Sequence, residues 1–111
     1  MSRSPWSLEE ALALIRMLEP KLTQVGFHVA LMGSVLIEGH STNDLDLILF
    51  PHSSNRVDVE SARLELTIAG LRPVISRARV AAAWEREGSS DAKHVEVWAY
   101  NDKRVDLFFM R

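Results

Sequence analysis

Phe27-His28-Val29-Ala30-Leu31-Met32-Gly33-Ser34, followed after nine residues by Asp44-Leu45-Asp46-Leu47-Ile48-Leu49-Phe50, is the stretch on which the fold of this chain turns. The first six residues are β-compatible and almost wholly apolar, the composition of a strand covered on both faces. They run directly into Gly33 and Ser34. The second run reads as another strand, closed by Pro51, and it opens by alternating acid with leucine. Side chains alternate faces along a strand, so Asp44 and Asp46 project from one side with Cα atoms roughly 6.5 Å apart. Two carboxylates so placed repel when both ionise. The pair therefore costs stability unless a divalent cation or solvent offsets it.

Upstream, Ser7-Leu8-Glu9-Glu10 has the spacing of a capping box, so a helix is expected from Leu8. Leu8, Ala11, Leu12, Ile15, Leu18 and Leu22 form its apolar stripe. Pro20 is expected either to kink it or to open a second short helix, and Gly26 to end the helical stretch. Between residues 35 and 43, Gly39, Ser41, Thr42 and Asn43 break any long element. Downstream, after a polar loop at 52–55, residues 57–71 have helical spacing through Val59, Ala62, Leu66 and Ala69 and stop near Gly70 and Pro73. Residues 77–87 are expected to form a further helix, with Val74-Ile75 as the alternative start of a strand. Residues 94–100, a four-residue connection Asn101-Asp102-Lys103-Arg104, and residues 105–110 read as a C-terminal β-hairpin. No repeat, low-complexity tract or linker divides the chain, so residues 1–111 are read as a single domain.

The chain has 111 residues, enough for one core and too few for a separate specificity domain. Its 13 Lys and Arg against 15 Asp and Glu leave a net charge of −2, which argues against holding nucleic acid by bulk phosphate neutralisation. Hydrophobic residues at 47% and charged residues at 25% are the balance of a globular protein rather than a disordered one. Without Cys, disulfide and thiolate chemistry are excluded. No apolar run approaches a membrane span, and Met1-Ser2-Arg3-Ser4-Pro5-Trp6 lacks a secretory apolar stretch, so the expected compartment is cytoplasmic.

Asp106 repeats the acidic theme in the last strand, between Val105 and Leu107, where an inward acid is out of place for a purely structural role. If that strand lies beside the Asp44 strand, three carboxylates converge. Oxygen-only ligands favour Mg²⁺ or Mn²⁺ over zinc. Gly33 lets a phosphate approach the backbone and Ser34 adds a hydroxyl, so a phosphate cradle adjoins a metal site. Together these describe phosphoryl or nucleotidyl transfer.

Met32-Gly33-Ser34, the nine-residue gap, Asp44-Leu45-Asp46-Leu47 and the later Val105-Asp106-Leu107 resemble the signature of the polymerase-β-like nucleotidyltransferase superfamily, and most closely its minimal single-domain members. The resemblance implies an α+β fold, a mixed β-sheet with helices packed on it in α-β-α-β-α-β order. It implies that Gly33 and Ser34 bind the nucleoside triphosphate, ATP among the candidates, and that Asp44 and Asp46 hold two Mg²⁺ ions. Asp106 is then the third carboxylate, binding metal on the acceptor side and assisting deprotonation of the attacking hydroxyl. The implied reaction moves a nucleoside monophosphate (NMP) from a nucleoside triphosphate (NTP) to a hydroxyl on a protein, a nucleic acid or a small molecule. Likeness to the minimal members points to a protein acceptor or partner subunit, as when such a protein is the antitoxin that nucleotidylates a toxin. The rival reading is a catalytically silent module of the same fold, retained as an antitoxin or regulatory subunit.

One departure from the family pattern is the stretch Leu36-Ile37-Glu38 ahead of Gly39, where a basic residue is usual. Arg56, Lys93, Lys103 and Arg104 are candidates to replace that cation, though each alone reads as solvated surface charge. Arg77, Arg79 and Arg86 give a basic helix face diluted by Glu85 and Glu87. His28, His40 and His52 recur every twelve residues, which fits neither helix nor strand register, so they and His94 are read as unrelated to metal. Of Trp6, Trp84 and Trp98, at least two are expected in packing roles.

Overall fold

The computed structural model describes residues 5–51, 59–73 and 93–110. The helix expected over 77–87, the alternative strand at Val74-Ile75, and His52, Arg56 and Trp84 lie outside these residues, as does the side chain of Lys93.

A two-residue strand β1 (Trp6–Ser7) leads into helix α1 (Leu8–Thr23). The capping box starts the helix as expected: Glu10 N–H donates to the Ser7 hydroxyl and Ser7 N–H donates to the Glu10 carboxylate, each at 3.1 Å. The buried stripe is Ala11, Leu14, Leu18 and Leu22. Leu8 is 39% exposed and Leu12 and Ile15 are only half-buried, so the stripe is rotated from the expected one onto Leu14. Three- and four-residue steps fit two neighbouring stripes equally, and packing decides between them. The helix also runs through Pro20 rather than restarting there. Pro20 is exposed and removes one hydrogen bond, but Leu18 and Leu22 on either side are fully buried and hold the last turn in place.

Strand β2 (Phe27–Met32) passes directly into a six-residue helix α2 (Gly33–Glu38), which Gly39 ends in the left-handed region at φ 84°. A short strand β3 (His40–Ser41) pairs with β1, and then come β4 (Asp44–Pro51) and helix α3 (Val59–Ile68). Beyond these, β5 (Arg72–Pro73), β6 (Lys93–Tyr100) and β7 (Lys103–Met110) complete the described chain. Among the described residues the main sheet has five strands in the order β2-β4-β7-β6-β5. Of these, only β4 and β7 pair in parallel, so the sheet is mixed and the class is α+β.

Alternation sorts the two faces of this sheet. Leu45, Leu47, Leu49, Val105, Leu107, Phe109 and Trp98 point to one face and are fully or almost fully buried. With α1 and with Ala62 and Leu66 of α3 they form one core. Each such leucine contributes roughly 1.5–3 kcal/mol by leaving water. The same alternation turns Asp44, Asp46 and Asp106 to the opposite face.

The hairpin differs from expectation in its loop. Asn101 and Asp102 both have positive φ, 53° and 61°, as a two-residue type I′ turn requires, and both residue types tolerate that conformation. Lys103 and Arg104 therefore belong to β7, where they pair with Tyr100 and Ala99. Glycine suits the second turn position better than Asp. The Arg72–Asp102 ion pair, lost in such a variant, is solvent-exposed at both ends and contributes little. Asp102→Gly is expected to raise stability by about 0.5 kcal/mol in urea denaturation.

Candidate functional site

The parallel pairing of β4 with β7 sets Asp46 opposite Asp106 and Asp44 opposite Arg104. One carboxylate oxygen from each of Asp44, Asp46 and Asp106 lies within 4.8 Å of the others. Asp44 and Asp46 are half-buried and Asp106 is buried. Three strand-borne acids therefore meet on one face, which satisfies the condition that the sequence left open.

Gly33 adjoins this cluster, since Met32 pairs with Asp46 across β2 and β4. Its φ of +77° is left-handed, and a Cβ there would run into the Asp46 carboxylate, coming within 3.1 Å of Cγ. The space freed by the missing side chain is thus taken by Asp46, which gives Gly33 a packing role. Ser34 is exposed in the first turn of α2, and no side chain caps that helix. Its first N–H groups have no partner within the helix.

Crowding the acids perturbs them. Burial, followed by the charges of Asp44 and Asp106, pushes Asp46 up to about 6. Asp44 is raised too, by burial first and then by its hydrogen bond and repulsion with Asp106. The counter-charge is Arg104, whose Nε donates to Asp106 Oδ1 at 2.8 Å and whose Nη2 donates to Oδ2 at 3.2 Å. Among the described residues, three carboxylates facing one guanidinium leave an excess of negative charge, all on hard oxygen donors. That donor set fits Mg²⁺ or Mn²⁺.

Arg104, read singly from sequence as a solvated charge, is therefore part of the site. Its i, i+2 relation to Asp106 was the available signal, masked by assigning Arg104 to the loop. Lys103 turns to the other face, where it lies 5.1 Å from the Trp6 ring centroid and pairs with Glu10. Its side chain is only 13% exposed, so it is not a solvated charge either. A cleft of about 370 Å³ beside these residues is lined by Trp6, Glu10, Met17 and Tyr100, but none of the three acids reaches it. His28 pairs with Glu19, His40 is exposed, and His94 is buried against Glu96, so none of them joins the acids. Trp6 and Trp98 are packed in the core. No protein-family model matches the chain, and no curated protein matches it.

Two outcomes follow from this geometry. Folded Asp46 keeps its proton to higher pH than the unfolded chain does, so between about pH 4 and 6 stability falls as pH rises, and the loss persists above that window. Asp46→Asn should then be more stable than wild type by about 1–2 kcal/mol at pH 8 in EDTA, after allowance for solvent screening, with the gain vanishing near pH 4. Urea denaturation at both pH values measures it. Gly33→Ala should cost about 2–3 kcal/mol, of which about 1–2 is left-handed strain. Adding Asp46→Ala should recover the remainder, and a double-mutant cycle tests that coupling.

Proposed function

We propose that this chain is a metal-dependent nucleotidyltransferase of the polymerase-β-like kind, moving an NMP from an NTP to a hydroxyl acceptor with release of pyrophosphate. The observation that carries the reading is the convergence of Asp106, from a separate strand, with Asp44 and Asp46 beside Gly33. Asp44, Asp46 and Asp106 would hold two divalent cations. When bound, these neutralise charge on the phosphate oxygens and favour ionisation of the acceptor hydroxyl. Ser34 and the N–H groups opening α2 would orient the triphosphate, and Asp106 would accept the proton of the attacking hydroxyl. The new bond joins the acceptor oxygen to the α-phosphorus as the bond to the pyrophosphate oxygen breaks. NTPs and Mg²⁺ are supplied in the cytoplasm, so the proposal carries that location with it. Among the described residues no helix is long and apolar enough to cross a membrane.

A protein hydroxyl is the acceptor we favour, because the negative overall charge disfavours a nucleic-acid acceptor held by bulk charge. One observation favours the silent-module reading instead: Arg104 already occupies both oxygens of Asp106. Incubation with each labelled NTP and Mg²⁺ in host extract separates the two. The enzyme reading expects labelled NMP on an acceptor, with a loss of about a hundredfold or more in Asp46→Asn and Asp106→Asn. The silent reading expects no labelled product and equal heats of Mg²⁺–NTP binding for wild type and Asp46→Ala.

A further inference from the structure

Arg104 sits where a cation bound by Asp106 would have to compete with it. Its guanidinium takes one hydrogen bond to each oxygen of that carboxylate. Its charge is also felt by Asp44 and Asp46, on both of which it acts to favour the ionised form. The backbone at this point is fixed: β7 pairs on both sides, with Asp44 and with Ala99, and the Trp6 indole N–H donates to the Arg104 carbonyl at 2.9 Å. The side chain is different. It is 54% exposed while Asp106, which it covers, is only 11% exposed. An anchored backbone with a half-exposed head is the arrangement of a group that can turn without disturbing the sheet.

We propose that Arg104 is an exchangeable counter-ion, holding Asp106 in the metal-free protein, yielding that carboxylate to a divalent cation, and then engaging the phosphate oxygens of the nucleotide. This rests on the nucleotidyltransferase reading above and adds to it a positioning residue. A planar fork that fits a carboxylate through two N–H groups fits a phosphate in the same way. The exchange also lessens the charge imbalance among the acids. A dication replaces the guanidinium among the acids, and the released guanidinium meets the anion that arrives with the metal.

The test is Mn²⁺ binding followed by electron paramagnetic resonance, with and without a non-hydrolysable ATP analogue, on wild type, Arg104→Ala and Arg104→Lys. Circular dichroism confirms folding, which a half-exposed side chain should not endanger. Removing the competing charge should tighten Mn²⁺ alone by about tenfold in Arg104→Ala. At saturating Mn²⁺ the same variant should bind the analogue about tenfold or more weakly. Arg104→Lys keeps the charge without the fork and should fall between the two in both measurements. These opposed shifts are not produced by a merely structural role. Unchanged or weaker Mn²⁺ binding in Arg104→Ala, or undiminished analogue binding, overturns the inference while leaving the enzyme reading in place. Failure of all three folded proteins to bind Mn²⁺ removes both.

Discussion

The structure depends on one register, the parallel pairing of β4 with β7 that sets Asp46 against Asp106. Parallel pairs are not joined by a hairpin, so this contact is non-local and must be fixed by side chains. Leu45, Leu47 and Leu49 on one strand and Val105, Leu107 and Phe109 on the other are all completely buried. Slipping either strand by one residue would exchange this apolar row for the acids and expose it. The hydrophobic core and the acidic site are therefore one constraint seen from two faces. Whatever stabilises the leucines also aligns the carboxylates.

The same site works against stability. Asp46 is raised by burial and by its acidic neighbours, so at neutral pH the folded state carries charge that the unfolded chain would hold more easily. Gly33 compounds this, because a left-handed backbone and a bare α-carbon are spent on letting Asp46 pack close. The structure tolerates both features because the opposite face of the sheet is so fully apolar. Like-charge crowding maintained by a strong core accords with the metal site proposed above.

Much of this was legible in the residues. Period-2 alternation put Asp44 and Asp46 on one side, the capping box fixed the start of α1, and Ala62 and Leu66 marked the buried face of α3. What could not be read was the pairing of strands distant in sequence, on which the convergence of Asp106 depends. Local ambiguity accounts for the other differences. Two stripes fit α1, and burial chose the one through Leu14. Pro20 was overruled by Leu18 and Leu22. The turn is shorter than the four-residue connection expected because Asn101 and Asp102 both take positive φ, which puts Arg104 in β7 two residues from Asp106.

A second buried acid in the same sheet shows what a structural carboxylate looks like here. Glu96 faces the core, and its oxygens accept from Arg63 through Nε and Nη2, from Trp98 Nε1 at 2.9 Å, and contact His94 Nε2 at 3.1 Å. One carboxylate there is met by an ion pair and two ring nitrogens, which is how a buried charge is made tolerable without a ligand. The Asp44–Asp46–Asp106 cluster has the inverse arithmetic: three carboxylates share, among the described residues, one guanidinium, and that guanidinium bonds only Asp106. Both sets grow from the same alternating strands under the same core. Glu96 lies on the core face while Asp44 and Asp46 are half-buried on the other, where water meets part of their charge. Under the function proposed above, a divalent cation would supply the missing charge, since carboxylate oxygens are hard donors of the kind it prefers.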